Sequence, residues 1–279
     1  MDQTARPAPT PDSASPASPA GSAPVGAFQP WRCLWRVPAL AGVCLVGFPL
    51  MLLALLPGLR DVSVAGRPLG WRMQRRTARM VLFVLGMRYR RFGEVPEGPM
   101  LVVANHISWF DIPLLHAMSP IWLVAKSGIR DWPLVGGLAR AVGTIFIERG
   151  SDASRRRASR RMAALLQHGK MVGVFPEAGI RAERGVGRFH ARLLAPAVRT
   201  GTPLLPVAIR YWRDGDVHDE RVFGPGTTFL SLLVTNLVRP PCEAQLIIGT
   251  PIVPGEAGRS DLAREAEEQV RRMYDHEIA

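Results

Sequence analysis

The residues best equipped for chemistry lie together in the stretch Asn105-His106-Ile107-Ser108-Trp109-Phe110-Asp111. An apolar run at 100–104 leads into it, and Ile112-Pro113-Leu114-Leu115 leads out. That is the pattern of a buried strand that ends, a short turn, and the start of a helix. An imidazole beside a carboxylate can take a proton from a hydroxyl, while the carboxylate orients the ring and balances the imidazolium that forms. Asp111 also stands just ahead of Ile112-Pro113, where a carboxylate caps a helix start. The two jobs are compatible, because a capping carboxylate is fixed and ionised. Read alone, His106 is equally a turn histidine, and the spacing of one His and one Asp decides little.

Other strand ends add to the case. Gly143-Thr144-Ile145-Phe146-Ile147-Glu148-Arg149 closes a strand with an arginine, whose planar fork suits phosphate. Phe175-Pro176-Glu177 closes another with a carboxylate behind a rigid proline, and Leu205-Pro206-Val207 lies in a third. Singly, Arg149 is one more surface charge and Phe175-Pro176 a strand end. In order and spacing behind His106, however, these blocks resemble those of the glycerolipid acyltransferases of the lysophosphatidic acid acyltransferase family. That family carries N-H-x-x-x-x-D, G-x-x-F-I-x-R, F-P-E-G-T-R and a V-P-V-like block, and the resemblance spans residues 81–251.

The resemblance implies acyl transfer from acyl-CoA or acyl carrier protein to the free hydroxyl of lysophosphatidic acid, giving phosphatidic acid. It assigns His106 as general base, Asp111 as its partner, and Arg149 and Glu177 to the acceptor. The thioester is already activated, so neither metal nor cofactor is expected; deprotonating a positioned hydroxyl supplies much of what is missing. The third block departs from the pattern. Ala178, Gly179 and Ile180 replace Gly-Thr-Arg, Arg181 follows one place late, and Phe189-His190 stands where Phe-Lys is usual. Arg181, Arg184 or Arg188 would then supply the displaced cation, and Arg181 is the expected binding residue. The alternative acceptor is lyso-ornithine lipid or another lysolipid.

Elements that must position these groups follow from pattern and charge. Residues 1–30 are rich in Pro, Ala, Ser and Gly without a hydrophobic period and are expected to be a disordered tail. A membrane-associated helical segment is expected at 31–80, because residues 37–59 are uncharged and long enough, at 23 residues, to span ~30 Å of hydrocarbon. Pro38, Pro49 and Pro57 leave a kinked or half-inserted helix open beside a straight span, with a buried core helix as the bland reading. Arg60, Arg67, Arg72, Arg75, Arg76 and Arg79 follow this segment whereas Arg6, Arg32 and Arg36 precede it. The expected location is the cell inner membrane with the body on the cytoplasmic face.

From residue 81 onward, strands at 88–92, 100–104, 121–125, 144–147, 171–175, 204–211 and 243–249 alternate with helical patterns. The strand at 204–211 is expected to be interrupted by Pro206, Asp131 to cap one helix and Ser260 to cap the last. This predicts an α/β domain over 81–279, a mixed sheet flanked by helices behind the membrane segment. The net charge of +12 is nearly all arginine, with Lys126 and Lys170 the only lysines. Such a balance suits anionic partners and keeps open a reading of a different class, a non-catalytic basic binding protein anchored at a membrane. The arginines at 155–161 lack interleaved aromatics and any groove-reading motif, so no nucleic acid is expected. Cys33, Cys44 and Cys242 are too scattered for a disulfide framework or zinc site and point to a reducing compartment.

Overall fold

A computed structural model describes residues 29–177, 179, 185–213, 216–217, 228–255 and 258–276. The expected disordered tail at 1–30 falls almost wholly outside these residues, as do Ala178, Ile180, Arg181 and Arg184.

A continuous helical stretch of 25 residues, Pro30–Ala54, opens the described chain. It comprises α1 (Cys33–Gly42), a π-turn at Val43–Gly47, and α2 (Phe48–Ala54). Pro49 has no N–H to offer the carbonyl four residues back, and the π-turn stands just before it. The helix is long and apolar enough to cross a bilayer. Leu34, Leu45, Val46, Leu50 and Leu53 are exposed along it, unlike the faces of a core helix. It ends before Pro57, so the apolar helix lies a few residues earlier than 37–59. A two-strand hairpin that the sequence did not announce, β1 (Ser63–Val64) and β2 (Arg67–Pro68), leads into α3 (Leu69–Val84).

The body then runs β3 (Met87–Phe92), β4 (Leu101–Ala104), α4 (Asp111–Met118), β5 (Ile121–Lys126), α5 (Val135–Ala141), β6 (Ile145–Ile147), α6 (Asp152–Gln167) and β7 (Met171–Val174). It continues through α7 (Ala195–Thr200), β8 (Leu204–Arg213), β9 (Asp216–Val217), α8 (Phe229–Val238), β10 (Cys242–Ile248) and α9 (Arg259–Asp275). The main sheet has the order β3-β10-β8-β4-β7-β5-β6, with β9 paired to β8. From β8 to β6 neighbouring strands are parallel, whereas β10 runs antiparallel to β8 and parallel to β3. The mixed α/β sheet is therefore as expected. Strands β4 and β7 are buried at every position, as central strands covered on both faces must be.

Three local expectations fail. Pro206 does not interrupt β8, which passes through it. Its carbonyl accepts from Gly249 N, just beyond the last residue of β10, so its missing donor falls where that neighbour has ended. Asp131 caps nothing: it closes a 3-10 turn, and α5 starts after Leu134, which has φ of 60° and no capping side chain. The residue before α9 is Gly258, not Ser260.

Helix α3 packs on α4 through a buried polar pair, Gln74 Nε2 at 2.7 Å from His116 Nδ1. Burial lowers the His116 pKa from 6.5 to about 4. Between those values the unfolded chain binds a proton that the folded chain refuses. Stability is therefore complete above about pH 6.5 and falls as pH drops towards 4, by about 3 kcal/mol for this group. Urea unfolding at pH 7 and pH 4 is expected to show that extra loss in the parent and not in His116→Gln.

Candidate active site

The site forms where β4 stops. Asn105 follows its last residue, and its side chain replaces the missing ladder: Nδ2 donates to Ile209 O at 2.9 Å, and Oδ1 accepts from Ile209 N at 2.7 Å. This fully buried amide extends the β4–β8 register by one step and fixes where the chain turns. That gives the first residue of the motif a structural reason.

Asp111 is the first residue of α4, and its carboxylate turns backwards. Oδ2 accepts from Ile107 N at 2.8 Å and Ser108 N at 2.9 Å, and it lies 2.8 Å from His106 Nδ1. It makes no cap to the helix amides ahead of it, so the expected helix-capping job is corrected. The carboxylate closes the preceding turn instead, because those two amides converge on it. Oδ1 accepts from the Tyr211 hydroxyl at 2.8 Å. Asp111 is wholly buried, while the His106 side chain keeps 15% exposure. An imidazole whose Nδ1–H is committed to a carboxylate presents Nε2 as its proton acceptor. The ring is stacked on Phe175, with centroids 4.0 Å apart and planes 13° from parallel.

His106 opens into a cavity of about 1230 Å³. Trp109, Ile112, Trp132 and Phe175 line one part of it. Trp109, Trp132 and Phe229, the first residue of α8, form an aromatic cluster with centroids 4.9 to 5.7 Å apart. Cationic side chains line another part, among them Lys126, the last residue of β5, and Arg149, two residues beyond β6. The Lys126 pKa is lowered first by burial and then by the Arg149 charge. Two converging cations at a cavity wall make a seat for an anion. Gly143 has φ of 84°, and a Cβ there would meet Trp122 at 2.2 Å; only glycine lets β6 start against that ring.

Glu177 holds the other side. Its Oε2 accepts from His106 N at 3.4 Å and its Oε1 from Gly187 N at 3.0 Å, tying the Phe175-Pro176-Glu177 turn to the histidine. Of the five residues expected at the site, His106, Asp111 and Glu177 are directly linked, and Arg149 faces the same cavity. Arg181 lies outside the described residues. Sequence reasoning missed Tyr211, Lys126 and the aromatic cluster. Tyr211→Phe deletes one of the contacts holding Asp111, so kcat is expected to fall roughly tenfold with KM for either substrate unchanged; steady-state kinetics checks this. Among the described residues no group of three His, Cys, Asp or Glu side chains is placed to hold a metal ion.

Residues 86–210 match the family model described as Acyltransferase. The chain is 37% identical over 244 residues to a lyso-ornithine lipid O-acyltransferase of Pseudomonas aeruginosa, covering 86% of this chain and 92% of that protein. It is 39% identical over 119 residues to a 1-acyl-sn-glycerol-3-phosphate acyltransferase of Neisseria gonorrhoeae, covering 42% of this chain and 47% of that one. The fold is shared with the crystal structure of the Thermotoga maritima 1-acyl-sn-glycerophosphate acyltransferase PlsC. The TM-score is 0.68 at 21% identity, over 88% of this chain and 95% of the other.

Proposed function

Because the chain belongs to the acyltransferase family of lyso-ornithine lipid and 1-acyl-sn-glycerol-3-phosphate acyltransferases, we propose that its acceptor is lyso-ornithine lipid. One observation carries this choice. The likeness to the lyso-ornithine lipid enzyme covers 92% of that protein, whereas the likeness to the Neisseria gonorrhoeae glycerophosphate enzyme covers 47%. Features beyond the shared catalytic blocks therefore follow the first type. The altered Ala178-Gly179-Ile180 segment fits the same reading, since it replaces residues of the glycerophosphate pattern. Lysophosphatidic acid remains the second reading, favoured by Lys126 and Arg149 at one cavity wall.

In either reading His106 Nε2 takes the proton of the acceptor hydroxyl as its oxygen attacks the thioester carbonyl. Asp111, locked by Ile107 N, Ser108 N and Tyr211, balances the imidazolium. The carbon–sulfur bond then breaks and the departing thiolate recovers the proton from His106, leaving a new ester and a free thiol. Acyl-CoA or acyl carrier protein is the proposed donor, and Arg149 and Arg181 the proposed anion contacts of the acceptor. The proposed location is the inner membrane with the body on the cytoplasmic face, supported by the exposed apolar helix and the arginines that follow it.

The test supplies purified protein in detergent with acyl-CoA or acyl carrier protein thioester and three acceptors: lyso-ornithine lipid, lysophosphatidic acid and lysophosphatidylcholine. A kcat/KM for lyso-ornithine lipid at least about tenfold above the others supports the choice. A preference for lysophosphatidic acid replaces it with the second reading.

A further inference from the structure

A second basic feature lies away from the reaction centre. On α3 and the residues leading into it, Arg67, Arg72, Arg75, Arg76 and Arg79 surround Trp71 in a pocket of about 200 Å³. It shares no lining residue with the catalytic cavity. Among the described residues none of these arginines has a carboxylate within 4.0 Å. What holds them is neutral. Arg72 donates to Val64 O at 3.1 Å and Arg75 to Ala117 O at 3.1 Å. Arg67 and Arg75 lie over the Trp71 ring at 4.6 and 5.8 Å, and Arg79 lies over Tyr89 at 4.8 Å. Several positive groups thus converge without a counter-charge among the described residues, an arrangement that an anion completes. The Arg75 pKa is lowered by its partial burial and by Arg79, Arg67 and Arg91, with Tyr89 acting the other way.

The surroundings indicate which anion. Positions 72, 76, 80 and 83 recur along one side of the helix, and there the arginines give way to exposed Met80 and Phe83. Phe83 meets Trp35 of α1 at 5.9 Å, and α1 and α2 pack against α3. The basic pocket is therefore continuous with the exposed apolar surface of the N-terminal helix. A ligand with a phosphate at one end and acyl chains at the other matches that sequence of surfaces, whereas a free phosphate uses only half of it.

We propose that the Arg67–Trp71–Arg76 pocket binds the phosphate head group of an anionic phospholipid, separately from the acceptor held at His106. The experiment uses the full-length protein in non-ionic detergent, titrated with short-chain phosphatidylglycerol or phosphatidylcholine and read by native mass spectrometry. Phosphatidylglycerol is expected to bind at least about tenfold more tightly, and that preference is expected to vanish in Arg72→Gln/Arg76→Gln/Arg79→Gln. Should that variant lose its cooperative thermal unfolding, Arg76→Glu alone, at an exposed position, carries the same criterion. Equal affinity for the two lipids overturns the proposal, as does a preference that survives the arginine exchanges. Displacement of the lipid by glycerol phosphate at equal concentration overturns the lipid assignment in favour of a free phosphate site. Loss of the preference in Arg149→Gln with the α3 arginines intact places the lipid in the acceptor cavity and likewise overturns it.

Discussion

His106→Gln is expected to lower kcat by roughly a thousandfold, within the range that a general base supplies, while leaving the unfolding midpoint almost unchanged. The ring is partly open to the cavity and stacks on Phe175, and glutamine retains much of the volume and a donor for Asp111. What disappears is the basic nitrogen proposed to take the acceptor's proton. The proposed thioester donor would need no further activation, so little else in the site can replace that proton transfer. Rates with saturating donor and acceptor, alongside urea unfolding of both proteins, check this. A variant that keeps more than about a tenth of the parent kcat removes His106 from the role of base.

Asp111 is expected to separate structure from chemistry through two exchanges. Asp111→Ala removes the fully buried carboxylate that Ile107 N, Ser108 N, His106 Nδ1–H and the Tyr211 hydroxyl share. Each hydrogen bond lost costs on the order of 1 kcal/mol, so a loss of about 4 kcal/mol is expected, visible as a collapsed unfolding midpoint. Asp111→Asn presents an oxygen to the two amides and to His106 and an amide to Tyr211, whose hydroxyl can rotate to accept. The fold is expected to survive. Without the negative charge the imidazolium loses its partner, so kcat is expected to fall roughly a hundred- to thousandfold. An Asn variant as active as the parent shows that the carboxylate serves the turn alone.

Much of this site is written locally. A buried strand, a turn bearing the His, and a helix starting near Ile112-Pro113 are consequences of residues within a dozen positions of each other, and they form as read save that the helix takes in Asp111 as its first residue. Tyr211 is different in kind. It reaches Asp111 across 100 positions because β8 lies beside β4 with Ala104 opposite Val207, a register that no local pattern encodes. Lys126 reads as the polar end of a strand until β6 pairs with β5 and brings Arg149 near it. The misassigned cap has the same origin. An Asp before Ile-Pro has amides ahead of it and behind it, and only the path of the turn decides which ones it meets. Pro206 reads as a break because its missing N–H is visible in the sequence, whereas the end of β10, which makes that loss harmless, is not.

Arg36 carries a consequence for how this chain is made. It is 1% exposed, its guanidinium donates to the carbonyls of Asn236 at 2.8 Å, Leu237 at 3.2 Å and Arg239 at 2.8 Å, and it lies against Gly86, where a Cβ would meet it at 2.5 Å. Those carbonyls close the end of α8 and are synthesised some 200 residues after the arginine. At a ribosomal pace of roughly 5 to 20 residues per second, Arg36 waits ten seconds or more for its partners. During that interval the apolar N-terminal helix has emerged while the seat for its charge has not. Its docking is therefore a closing step of biogenesis, taken when nearly all of the sheet's strands are already available.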